Sequence, residues 1–235
     1  MSEHVLLDET IRTEDDVILR RIRAGRDLPA HDVTAGDLGG WVQSLNNVEN
    51  DGWVSADAMV FGRATVGERA HLTMSAQASG QTYVGGHAIM TGQSRATGLA
   101  VVSGNSQMRD TAEISGGARL SGYAQMCGNA KVGGDTLVSG RVHLSDGAEL
   151  RKMQDLLVVG PLGSANTDLV LYRTTIGHTV RVGCWQGQID ELAAEVDLRV
   201  KYWIRTKATK QAWRTEYAMI AELCRVRAAT WEVDR

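Results

Sequence analysis

The stretch Ser115-Gly116-Gly117-Ala118-Arg119-Leu120-Ser121-Gly122-Tyr123-Ala124-Gln125-Met126-Cys127-Gly128-Asn129-Ala130-Lys131-Val132 is one six-residue phrase written three times. Each phrase closes on an aliphatic residue, with Ala two places earlier and Gly four places earlier. Followed outward in both directions, the phrase runs from Ser55 to Leu150 without insertion or deletion. A hexapeptide period is the signature of a parallel β-helix. Three hexads then make one triangular turn, so residues eighteen apart stack. The expected fold is mainly β: a left-handed parallel β-helix with an N-terminal cap and a small C-terminal α+β domain.

Three interior columns follow from that stacking. The first reads Val54, Leu72, Met90, Met108, Met126, Leu144; the second Val60, Ala78, Ala96, Ile114, Val132, Leu150; the third Val66, Val84, Val102, Leu120, Val138. So narrow an interior admits Ala, Val, Leu and Met but few rings. In keeping with this, Trp41, Trp53, Trp185, Trp203, Trp213 and Trp231 all lie outside the repeat. Two outward columns are also informative. One carries Arg95, Glu113, Lys131 and Glu149, alternating in sign as a solvated ladder of ion pairs does. The other carries Thr65, Tyr83, Val101, Arg119 and Leu137. Its apolar members, Tyr83, Val101 and Leu137, are read either as scattered surface hydrophobes or as an oligomer interface.

The flanks depart from the period. Residues 1–54 read as a cap that covers the open strand edges and core of the solenoid end, with Val17 to Ala24 as a strand. Residues 151–235 read as an α+β domain. Its strands are expected at Leu156–Val159, Leu169–Tyr172 and Thr179–Val182, with turns at Gly160–Gly163 and Thr175–His178. Helices are expected from Ile189 to about Val200 and from about Lys207 to Trp231. The second should bury Trp213, Tyr217, Ile220, Cys224 and Trp231 on one face.

Bulk properties narrow the function classes. A net charge of −3 supplies no global field for nucleic acid or an anionic membrane. The cations Arg199, Lys201, Arg205, Lys207, Lys210 and Arg214 read as one exposed helical region rather than a binding stripe. The three Cys (Cys127, Cys184, Cys224) make no metal spacing and leave an odd thiol, which fits a reduced cytoplasmic chain. No apolar run reaches the roughly 18 residues a spanning helix needs.

The segment Ala35-Gly36-Asp37-Leu38-Gly39-Gly40-Trp41-Val42, followed by hexads such as Cys127-Gly128-Asn129-Ala130-Lys131-Val132, resembles bacterial and phage hexapeptide-repeat proteins of the YdcK-like type. These are grouped with acyltransferases on fold analogy. The stretches Gly160-Pro161-Leu162-Gly163-Ser164, Tyr172-Arg173-Thr174 and Gly183-Cys184-Trp185-Gln186-Gly187 resemble a module recurring in phage and prophage proteins with such repeats. Together the resemblance covers about residues 17–225. It implies a host-directed role, such as capturing a nucleotide signal or blocking a host protein.

Three functions are compatible with these features. A hexapeptide acyltransferase needs a His to deprotonate the acceptor, but His71, His87 and His143 fall at outward positions of a regular wall, with no obvious acid or pocket beside them. A structural self-assembling element would trimerise through flat walls. The expectation adopted is a third: a non-enzymatic, oligomeric binding protein, a homotrimer by preference, with the solenoid as scaffold and the C-terminal domain as recognition element. Its partner would be a host protein or a small anion held by Ser164, Arg173, Arg181, Cys184 and Trp185. The plainer readings are outward strand arginines, a buried structural Cys184 thiol and a core Trp185. No cofactor or metal is implied.

Overall fold

The computed structural model describes residues 4–145, 147–163 and 166–233, with residues 232 and 233 described by backbone alone. The chain divides into two compact units, 1–146 and 147–235, the division falling inside the last hexad.

The first unit is a parallel β-solenoid of about six turns, each turn carrying three two-residue strands. The first wall stacks Met59–Val60, Gln77–Ala78, Arg95–Ala96, Glu113–Ile114 and Lys131–Val132. The second stacks Thr65–Val66, Tyr83–Val84, Val101–Val102, Arg119–Leu120 and Leu137–Val138. The third stacks Trp53–Val54, His71–Leu72, Ile89–Met90, Gln107–Met108, Gln125–Met126 and His143–Leu144. Every partner lies eighteen residues away, so the interior columns of the sequence are the columns of the structure. The aliphatic residue closing each hexad and the small residue two before it are both buried throughout, and Val102, Met108 and Ile114 are fully inaccessible.

The corner between strands repeats one backbone solution. Among the described residues, the one four before each buried aliphatic adopts positive φ, as at Gly86 (+66°) and Gly104 (+69°). Gly avoids the steric penalty that L-residues meet there. A Cβ on Gly86 would also come within 2.7 Å of the Gly104 backbone in the next turn. Glu68 and Asp110 hold the same conformation without being Gly. Each offers a compensation: its carboxylate accepts the N–H of the stacked glycine one turn on, Gly86 at 2.5 Å and Gly128 at 2.8 Å.

The cap extends the first wall. Strand β1 (Val5–Arg12) pairs antiparallel with β2 (Ile18–Arg23), and β2 with β3 (Leu38–Val42). Strand β3 then runs parallel to Met59–Val60. Val48 bridges Val66, and Trp53–Val54 opens the third wall. Coiling therefore begins at Trp41, about one turn before the hexads become regular. Leu19, Ile22 and Leu28 close the end of the core, and the Arg21 guanidinium lies 5.0 Å from the Trp41 ring centre.

In the second unit, β4 (Leu156–Leu162), β5 (Thr167–Thr174), β6 (Gly177–Val182) and β7 (Trp185–Gly187) form an antiparallel sheet in chain order. Strand β4 runs on through the expected Gly160–Gly163 turn as far as Leu162. Helices α1 (Leu192–Val200) and α2 (Lys207–Val233) cover one face. The core joins Leu169, Leu171, Val180 and Val182 to Leu192, Val196, Tyr217, Ile220 and Cys224. Trp231 anchors the far end of α2, its Nε1–H donating to the Gln154 carbonyl at 2.9 Å.

Candidate functional site

The residues expected to bind a ligand in the C-terminal unit do not converge. Ser164 lies outside the described residues. Arg173 pairs across β5 and β6 with His178, whereas Arg181 pairs with Val170. Directly opposed residues share a face, and side chains alternate faces along a strand. Arg173 and Arg181 therefore point to opposite faces of the sheet, and the expectation that both hold one anion is corrected.

Each arginine already has a partner. Arg173 donates from Nη1 to the fully buried Asp155 carboxylate at 3.4 Å. That carboxylate also accepts the N–H groups of Arg151 and Lys152, at 2.8 and 3.1 Å. Arg173 thus neutralises a buried acid and is a structural residue. Arg181 donates to the Gln186 side chain at 3.4 Å. Cys184 is exposed in the β6–β7 turn, after Gly183 with φ +60°, which corrects the reading of a buried thiol; the buried one is Cys224. Trp185 pairs with Val182 and packs half-buried against the helix core. Of the helical cations, Arg199 pairs with Glu195 and Arg214 with Asp197.

Tyr83, Val101 and Leu137 do share one outward column of the second wall. Leu137 is exposed and the other two are half-buried. The Tyr83 ring leans over Gly67 and Gly85, where a side chain at Gly85 would overlap it. Burial, then the neighbouring Glu68, pushes its phenol pKa up.

The polar chemistry gathers on and beside the third wall, where sequence reading saw only separate surface histidines. The wall's outward residues form two adjacent columns: His71, Ile89, Gln107, Gln125, His143, and Ser55, Thr73, Thr91, Arg109, Cys127, Ser145. A residue in the second column meets its diagonal neighbour in the first, one turn on and two places back. Three such pairs form hydrogen bonds: Ser55 Oγ with His71 Nε2 at 2.8 Å, Arg109 Nη2 to Gln125 Oε1 at 3.0 Å, and Cys127 Sγ with His143 Nε2 at 3.2 Å. All three are sixteen residues apart, an interval that eighteen-residue stacking predicts and a search at hexad spacing misses.

At the N-terminal end of this wall, His31 of the cap loop stacks edge-on against His71, ring centres 5.1 Å apart. Its Nε2 meets the Asp51 carbonyl at 2.7 Å, and the Asp51 side chain is paired with Arg26. Burial, and then His31, hold His71 down to about 4; burial likewise lowers His31. Burial thus makes the His71 ring a poor base toward Ser55 near neutrality. Beside it lies a shallow depression of about 360 Å³, lined by Asn50, Asp51, Glu68, Arg69, Gly86 and His87. His87 therefore does have acids and a depression beside it, contrary to the expectation of a bare wall.

Among the described residues, no group of three or more His, Cys, Asp or Glu is placed to hold a metal ion. No helix among them is long and apolar enough to cross a membrane. Comparison of the sequence with known protein families and with curated proteins finds no match to either.

Proposed function

We propose that this chain is an oligomeric, non-enzymatic interaction protein, in which the solenoid is a rigid scaffold and the C-terminal unit presents the recognition surface. The observation that carries this reading is the outer face of α2. Met219, Leu223 and Val226 recur at helical spacing and are 70%, 46% and 60% exposed. Leu198, Tyr202 and Ile204, on α1 and just after it, are exposed as well. Scattered single hydrophobes need no explanation, but an apolar stripe along a helix is the form a protein-binding face takes. The resemblance to phage and prophage repeat proteins supports a host protein as the partner. The column of Tyr83, Val101 and Leu137 supports a wall-to-wall homotrimer.

Native mass spectrometry tests the assembly, with a trimer expected and Val101→Glu reducing it to monomer. The double variant Met219→Glu, Leu223→Glu should stay folded and trimeric, since both sites are exposed, but lose a crosslinked host protein that the parent retains. A monomeric parent, or retention of that partner by the double variant, would sink the reading. The hexapeptide acyltransferase reading draws support from one place, the depression beside His87. Acyl transfer from a thioester donor that His87→Ala abolishes would establish it instead.

A further inference from the structure

We propose that Cys127 and His143 form a thiol–imidazole pair on the third wall that reacts with low-molecular-weight disulfides and other soft electrophiles, making Cys127 a site of covalent modification. Cys127 Sγ and His143 Nε2 are 3.2 Å apart, within hydrogen-bonding reach for sulfur, on two side chains that are each part-exposed. Solenoid stacking fixes this geometry. Met126 and Leu144 point inward on adjacent turns and are fully buried, so the residue after the first and the residue before the second both project outward. The parallel register of the wall therefore keeps the two backbone positions within reach of each other.

The surroundings favour the thiolate. A cationic partner or imidazolium next to a cysteine lowers its pKa and raises the fraction of the reactive form. Arg109 stands one turn earlier in the same column and keeps its guanidinium on this face by bonding to Gln125. The nearby Asp110 carboxylate is engaged by the Gly128 N–H. The thiol also contacts the Leu144 carbonyl at 3.7 Å, a weaker acceptor than the imidazole. The other two cysteines provide a contrast. Cys184 is exposed, and Cys224 is fully buried, its thiol pushed up to about 11 by that burial.

The exchange balances without a further oxidant. His143 takes the thiol proton and the Cys127 sulfur attacks one sulfur of the small disulfide. The disulfide's S–S bond breaks as the new protein S–S bond forms, and the departing thiolate takes the proton back from His143.

The test uses the full chain carrying Cys184→Ser, with iodoacetamide and oxidised glutathione as probes. Intact mass and peptide mapping read the products, and ultraviolet absorbance reads the thiolate. Cys127 should be alkylated about ten-fold faster at neutral pH than an unperturbed thiol, and should form one mixed disulfide with glutathione. His143→Gln should remove both the rate advantage and the thiolate absorbance. That variant should fold, because Gln107 and Gln125 already occupy the same column. A Cys127 rate equal to that of an unperturbed thiol, or an undiminished rate in His143→Gln, overturns the proposal.

Discussion

The two units make their cores in opposite ways. In the solenoid, each buried residue rests on the residue eighteen places before it and supports the one eighteen places after. The core of the second unit is closed by partners of unequal and distant origin, such as Trp231 on the Gln154 carbonyl, 77 residues away. A repeating core spreads its stability over many nearly equivalent interfaces. A core built once concentrates it in individual contacts, among them the buried Asp155 with the Arg173 guanidinium.

The contrast can be broken by mutation, beginning with the largest effect. Val102→Asp places an unpaired charge in the fully buried mid-solenoid column, at a cost of several kcal/mol. It should abolish soluble folded protein; an unchanged melting curve would refute the interior assignment. Arg173→Ala should cost about 3 kcal/mol, since it leaves a buried carboxylate without its cation. Hydrogen exchange should show the loss in 147–233, with residues 55–145 still protected. Equal loss of protection in both regions would show that the two cores do not separate as described.

Acid should act through His71. Its ring is neutral in the folded protein down to about pH 4, whereas the unfolded chain takes up the proton near 6.5. The unfolded state therefore binds more protons between those values. Stability is intact above pH 6.5, declines as pH falls toward 4, and loses nothing more from this group below that. His71→Gln should flatten this part of the profile of melting temperature against pH, and an unaltered slope would remove His71 as its source. The smallest effect belongs to the surface ladder. Lys131 lies 3.2 Å from Glu113 with both side chains well exposed, so Lys131→Ala should change stability by no more than about 0.5 kcal/mol in denaturant titration. A larger loss would mean that the walls depend on their outer charges as well as their interior.

Legibility followed the same divide. The walls and their interior columns could be read from 55 to 150, because one local rule repeats. In 151–235 both helices and the strands β4, β5 and β6 were legible as elements, whereas the short β7 was missed; on α2 Tyr217, Ile220, Cys224 and Trp231 are buried as expected, and Trp213 is only half-buried. The edge strand β1 was missed, because its apolar and polar residues do not alternate and none of its side chains is buried. Of the candidate site residues, the Tyr83, Val101 and Leu137 column was placed correctly by stacking alone. The Arg173 and Arg181 pairing was not, because adjacency of strands says nothing about which face each side chain takes.

By itself the sequence determined the solenoid, its turn length and its interior, since a residue's neighbour there is set by counting eighteen. Tertiary structure alone decided what lies at the non-repeating contacts: the His31 ring against His71 and the burial of Asp155 under Arg173. The physical reason is that these depend on hairpin register, loop path and side-chain reach. Those properties are settled by the packing of the whole unit and leave no period in the chain.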